Sequence, residues 1–371
     1  MKNSLIPCKR TQYKSALPVG AALLLSLLSS FAVAEPVKEF IYDAAPFPEA
    51  HASTVVELRN GDLMSAWFGG SKEGASDVAI WASIRSGGAW SPPAELAREK
   101  NIATYNPVLF HTNDGKLWLY YKFGPHPTSW TAARRWSTDE GKTWSRIQHL
   151  PAGLYGPIRA KPLLLADGTI VSGTSVESYR SWACWVERST DNGETFAKFG
   201  PISVPRQLSK PAPRTAEPDE APDSSDSDKP MGIIQPSVVL LGGHRLRMYT
   251  RSTAQIGRIC VADSNDDGIH WSQARPIDLP NPNSGIDALR LRDGRVVLVY
   301  NHTNIGRTPL NLAVSRDGEH FKMFRVLEHE PGEYSYPALI QGADGTLHIT
   351  YTWNRKKIRY VHMPLSDVPK L

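Results

Sequence analysis

Six times along the chain an apolar alternating run enters a glycine-bearing turn and leaves as a second, often aromatic run. These are VVELRNGDLMSAWF (55–68), VLFHTNDGKLWLYY (108–121), LLLADGTIVSGT (163–174), VVLLGGHRLRMYT (238–250), ALRLRDGRVVLVY (288–300) and ALIQGADGTLHITY (338–351). Period-two alternation on both sides of a short polar turn is the pattern of a β-hairpin. The turn glycines Gly61, Gly115, Gly168, Gly243, Gly294 and Gly345 are 54, 53, 75, 51 and 51 residues apart. Each unit then adds a second strand pair around a polar turn. STDEGKTW (137–144), STDNGETF (189–196) and SNDDGIHW (264–271) share S-x-D-x-G-x-x-[WF]. SRDGEHF (315–321) is one residue shorter, and SIRSGGAW (83–90) lacks the Asp. In such a turn the carboxylate accepts backbone N–H groups, Gly supplies positive φ and the aromatic pins the turn to the next strand. These aspartates are read as structural, not catalytic.

Six units of about fifty residues, four short strands each and no helical periodicity predict an all-β chain, a six-bladed β-propeller. The last unit runs out after three strands, at IRYVHM (358–363), while VKEFIY (37–42) has no unit of its own. It is therefore expected to supply the outer strand of blade six. The long 75-residue interval contains 205–230, rich in Pro, Asp and Ser and nearly free of large apolar residues. Such a composition buries too little surface to order itself, so a flexible insert is expected there.

Composition is ordinary for a globular protein, 41% hydrophobic and 21% charged. Residues 1–34 have a basic start, an apolar run and Ala32-Val33-Ala34, the pattern of a removable export signal. The propeller would then occupy 35–371, in a periplasmic or secreted protein. Its apolar run is too short for a membrane span. The formal net charge of +5 includes Lys2, Lys9, Arg10 and Lys14 of that segment, which has no acid. Little positive charge remains beyond it, and a nucleic-acid partner is not expected. Beyond the segment stand two cysteines, Cys184 and Cys260, five and four residues before their turn serines. The one-residue offset puts them on opposite strand faces, so buried thiols are expected rather than a disulfide.

In a propeller the loops entering the innermost strands and leaving the second strands gather on one face. Blade one brings His51, Phe68, Lys72, Glu73 and Asp77 there; blade two, Asn106 and Lys122; blade three, Arg159, Lys161 and Glu177. Blade four brings Gln235 and Arg251; blade five, Asn283, Asp287, Asn301, His302 and Arg307; blade six, Tyr334, Tyr336 and Trp353. Cations with stacking aromatics suit an anionic sugar. No metal cluster stands out, and no cofactor is expected.

The repeated turns and six-unit layout resemble the sialidase (neuraminidase) superfamily, with its Asp-box or BNR repeats, from about residue 38 to 363. MYTRST (248–253) resembles the family segment that supplies the second carboxylate-binding Arg, here Arg251. NHTNIGRTPLNLAVSRDG (301–318) resembles the segment bearing the third, here Arg307. YSYPALIQGADG (334–345) resembles the nucleophile segment; the Asp344-Gly345 turn favours Tyr336 and the Tyr-Ser pair favours Tyr334. GGSKEGASDVAIW (69–81) resembles the acid/base loop, with Glu73 and Asp77 as candidates. Two positions depart from the family. Its first blade opens with Phe/Tyr-Arg-Ile-Pro, whereas this chain has HAST (51–54), without the Arg. Its blade-four Glu, the base to the Tyr, is matched here by Gln235, which cannot take a proton.

The resemblance implies a retaining exo-glycosidase for an acidic sugar of a glycan, acting as a monomer. Tyr336 or Tyr334 would attack the anomeric carbon, Glu73 or Asp77 would serve as acid/base, and Arg251 and Arg307 would hold the carboxylate. Lys161, Arg159, Gln235, Asp287, Glu177 and Trp353 would line the sugar site. A uronate-cleaving lyase is the alternative, using a Tyr, His51 and the same arginines. A non-catalytic glycan-binding propeller is the third reading. With Gln235 in the base position, His51 is expected within a few ångströms of the tyrosines as a replacement proton acceptor.

Overall fold

The computed structural model describes residues 36–205 and 230–371, all strand, turn and short 3-10 segments. The expected export signal and all but the ends of the expected insert lie outside the described residues. Each repeat forms an antiparallel blade. Blade two, for instance, runs Thr104–His111, Leu117–Phe123, Thr131–Ser137 and Gln148–His149, from the axis outward. The innermost strands of the other blades are Glu49–Glu57, Leu163–Leu164, Met231–Gly242, Asp287–Arg290 and Tyr334–Gln341. Val37–Phe40 pairs antiparallel with Lys357–Met363 as the outer strand of blade six, Val37 opposite His362 and Phe40 opposite Arg359. The orphan strand thus completes the last blade.

Among the described residues six apolar cores hold the ring, one between each neighbouring pair of blades. The core between blades one and two contains Phe68, Ile80 and Leu119; that between five and six contains Val299, Leu312 and Ile349. Others join two to three, three to four and four to five. The sixth packs Trp67 and Phe47 of blade one on Ile358 and Tyr360 of blade six, which closes the circle. Cys184 and Cys260 are free, and both lie buried in the core between blades three and four. The offset does put them on opposite faces of equivalent strands. Adjacent blades meet through opposite faces, however, so opposite faces share one core. Burial raises both thiols, Cys260 to about 12.

The repeated polar turns close as the sequence predicts. Ser137 Oγ donates to Asp139 Oδ1 (2.7 Å) and accepts Gly141 N–H (2.8 Å), while Asp139 Oδ1 accepts Thr143 N–H (2.9 Å). The same three bonds recur at Ser189–Thr195 and at Ser264–His270.

The feature that builds the site is a β-bulge in the innermost strand. Register slips between His51 and Thr54, Tyr105 and Val108, Ile234 and Ser237, and Ser335 and Ala338. Each slip holds a non-glycine residue at positive φ: Ala52 (56°), Asn106 (44°), Gln235 (55°) and Tyr336 (52°). Bulges re-aim a side chain, and left-handed backbone outside glycine is costly, of order 1–3 kcal/mol, and gathers at functional sites. Three of the four precede proline: Asn106-Pro107, Gln235-Pro236 and Tyr336-Pro337. Proline donates nothing to a strand ladder and sits naturally at a bulge.

Candidate active site

Tyr336 touches side chains from four other blades and so stands at the axis. Its hydroxyl accepts hydrogen bonds from Arg251 Nη1 (2.8 Å) and Gln235 Nε2 (3.1 Å). Arg251 Nη1 also donates to Gln235 Oε1 (3.4 Å), which turns the amide NH2 toward the phenol, and Arg251 Nε donates to Asn283 Oδ1 (2.7 Å). The guanidinium carbons of Arg159, Arg307 and Arg251 lie 5.3, 5.7 and 5.9 Å from the Tyr336 ring centre. Any negative charge developing on the phenol oxygen meets a guanidinium at hydrogen-bond distance. Gly285 closes the floor: a Cβ there would fall 3.3 Å from Arg159 Nε and Gln235 Oε1 and 3.6 Å from the Tyr336 ring.

His51 lies against the other side of Tyr336, ring centres 4.3 Å apart, and is buried. Its Nδ1 is 3.0 Å from Thr352 Oγ1, which also accepts Ala52 N–H at 3.1 Å. Burial, reinforced by Arg355, Arg307, Arg251 and Arg159, holds the imidazole well below its usual range. The ring is therefore neutral at physiological pH and keeps one nitrogen lone pair.

The blade-one segment HAST has no arginine, yet a further guanidinium stands beside it. Arg355 comes from the blade-six turn at Asn354-Arg355, where both residues have positive φ. With Glu73, His51 and Phe68 it encloses a small recess. Its Nε donates to both oxygens of Glu333 (3.0 and 2.9 Å), and its Nη1 donates to Glu73. Glu333 also takes Arg307 Nη1 at 2.8 Å. Burial alone would raise the Glu333 carboxyl; Arg307 and Arg355 overcome it and hold it below the ordinary range. Asn301 Nδ2 lies within hydrogen-bond distance of the carbonyls of Arg307, Pro309 and Tyr334, tying this corner to blade five.

The cluster thus gathers Tyr336, His51, Gln235, Arg251, Arg307 and Glu73 from among the sequence candidates. Others sit elsewhere. Tyr334 is buried in the apolar core between blades five and six, because one strand sends residues two apart to one side only until the bulge at Ser335–Ala338 re-aims Tyr336. Asp77 caps its own exposed loop, accepting from Ser71 N–H and Ser71 Oγ, both at 2.9 Å. Arg159 is buried and donates Nη1 and Nη2 to the carbonyls of Ile286 and Pro337, which sets its guanidinium against the Tyr336 ring. Lys161 and Asp287 line a different cavity, on the far side of the ring. Trp353 packs edge-on against Phe40, 5.3 Å between centres, in blade six. Glu177 is half-buried; burial raises its carboxyl while Arg251 draws it back. Lys122, also at a converging position, is wholly buried, donates to Pro157 O at 2.8 Å, and is lowered by burial to about 7.

Arg355, Glu333 and Gly285 escape the sequence reading. A cation in an ordinary hairpin turn carries no signal that it will fold back on blade one. The Tyr336 assignment did have one, the x-Pro step shared with Asn106-Pro107 and Gln235-Pro236.

The model of the BNR repeat-like domain family matches residues 61–349. No curated protein matches the chain in sequence. Solved structures share its fold. The NanB sialidase of Streptococcus pneumoniae is 14% identical over 89% of this chain and 71% of that one, with a TM-score of 0.68. A protein of unknown function from Dyadobacter fermentans is 17% identical over 88% and 97%, with a TM-score of 0.68. The intramolecular trans-sialidase of Ruminococcus gnavus is 12% identical over 89% and 97%, with a TM-score of 0.65. At these identities the likeness establishes the six-bladed propeller.

Proposed function

Because the chain belongs to the BNR repeat-like domain family and has the sialidase fold, we propose that it is an exo-acting glycosidase for a terminal acidic sugar. The observation that carries this reading is the Tyr336 hydroxyl, 2.8 Å from Arg251 Nη1 inside a ring of guanidinium groups. Arg251 and Arg307, joined by Arg355, hold the sugar carboxylate. Tyr336 oxygen attacks the anomeric carbon, and the glycosidic C–O bond breaks as Glu73 delivers a proton to the leaving oxygen. A neutral phenol suits a centre beside a carboxylate, since an anionic nucleophile would be repelled. Its proton passes to His51 as the O–C bond forms and makes the O–H acidic enough for an imidazole held this low to accept it, because Gln235 has no basic atom. Water, deprotonated by Glu73, then attacks the anomeric carbon, the Tyr336 oxygen leaves, and the proton on His51 returns to it.

One observation favours a second reading. A neutral His51 against Tyr336 is also what a uronate lyase uses. One of the pair removes the C5 proton while the arginines neutralise the carboxylate, and the bond to the C4 oxygen breaks with proton return.

The test is product analysis with the purified protein on a panel of sialosides and uronic-acid glycans. Release of a free acidic sugar supports the glycosidase. A product absorbing in the near ultraviolet supports the lyase. Saturable binding without turnover on every glycan overturns both.

A further inference from the structure

On the face of the ring opposite Tyr336 lies a second cavity, of about 390 Å³. Innermost-strand segments of blades three to six line it, at the ends nearer their hairpin turns. Its wall is apolar, and Leu163, Leu164, Leu240, Leu289 and Ile340 are each only half-buried there. Isolated, partly exposed apolar side chains need no explanation, but four leucines and an isoleucine around one recess do. The volume is within the range of small-molecule sites and far above the ~30 Å³ share of one water.

Its polar groups are few and unequal. Asp287 is fully engaged: Oδ1 accepts from Ser237 Oγ (2.8 Å) and Ala288 N–H (3.1 Å), and Oδ2 from Leu339 N–H (2.9 Å). Ser237 Oγ accepts Ala288 N–H in turn (3.0 Å). Arg292 at the rim is committed to the carbonyls of Gly342 (2.6 Å) and Ala343 (3.1 Å). Lys161 is different: among the described residues its ammonium has no hydrogen-bond or ion-pair partner. Burial lowers it, with Asp287 pulling the other way. Exposed Arg290 at the rim likewise has no carboxylate partner among the described residues. An ammonium drawn out of water with no hydrogen-bond or ion-pair partner is costly, and an apolar wall gains by being covered.

We propose that this cavity binds a small amphiphilic anion, its head on Lys161 and its apolar body along the leucine wall. A carboxylate, sulfate or phosphate head serves equally. A cation would meet Lys161 and Arg290, and a neutral ligand would leave the ammonium unpaired. This site is separate from the Tyr336 cluster and independent of the reaction proposed there.

The test uses the whole protein and three probes with one tail: hexanoate, hexanol and hexylamine, titrated by ligand-observed NMR. Hexanoate alone should bind saturably. Lys161→Met should weaken it about tenfold or more, the loss typical of removing one partner of a buried charge pair. Leu240→Trp, which fills the cavity, should abolish it. Asp139→Asn, in a rim turn outside both sites, should leave it unchanged. Equal binding of the three probes, no binding, or loss in Arg251→Ala with retention in Lys161→Met, which would put the probe at the Tyr336 cluster, overturns the proposal. Melting temperatures identify any variant that fails to fold, and the remaining variant then decides.

Discussion

The rim turns and the axial cluster are built from the same repeats by opposite rules. At the rim, Ser137, Ser189 and Ser264 each accept a glycine N–H and donate to the aspartate two residues on, with nearly the same distances. At the axis, the bulge holds Ala52, Asn106, Gln235 and Tyr336 in equivalent backbone conformations but with four unlike side chains. Where every blade needs the same thing, a closed turn, the residues repeat. At the bulge the backbone repeats and the side chain does not. Repetition therefore marks the structural turns of this chain, and unlike side chains in one repeated backbone geometry mark the axial cluster.

The sharpest way to break that contrast is Tyr336→Phe, which removes one oxygen from the axis. It should cut turnover roughly a thousandfold, within the range for losing a catalytic group, and leave the melting temperature in place. Tyr334→Phe, in the core between blades five and six, should leave the rate intact. A similar loss in both, measured on the responsive glycan, would erase the distinction between them.

Next in size is Arg251→Ala. It should cost about 2–5 kcal/mol in kcat/KM or in binding of an acidic sugar, because the phenol and Asn283 lose their partner together. An unchanged kcat/KM would remove Arg251 from the site.

A rim substitution should show the reverse pattern. Ser137 is buried and makes both a donated and an accepted bond in its turn. Ser137→Ala should lower unfolding free energy by about 1–3 kcal/mol while kcat/KM stays as in the parent. A denaturant melt and an assay on one sample decide it.

The smallest effect concerns pH. Asp139 is drawn from 3.8 to about 2, chiefly by the Thr143 hydroxyl and amide. A carboxyl depressed by folding stabilises the fold above its unfolded value and loses that contribution as pH falls through its folded value. Stability should thus decline from about pH 4 toward pH 2, and Asp139→Asn should flatten that decline. An acid limb identical in the two proteins would show that the turn carboxylates are not its source.

Much of the architecture was legible because it is local. Alternation, glycine turns and the S-x-D-x-G-x-x-[WF] motif act over a few residues, so the sequence alone determined six units, their strands and their turns. It also determined that 37–42 lacked a partner and blade six lacked a strand. Arg251, Arg307 and Glu73 could be named because each stands at a converging position of the repeat and in a segment that resembles one of the sialidase superfamily. Tertiary structure decided what depends on the meeting of distant segments. Tyr336 rather than Tyr334 reaches the axis because a bulge, not strand alternation, sets its direction. Arg355 joins Glu73 because blade six closes beside blade one, 282 residues away in sequence. Cys184 and Cys260 share one core because neighbouring blades meet through opposite faces. Each is a contact between elements that carry no record of one another in local pattern, and only closure of the ring brings them together.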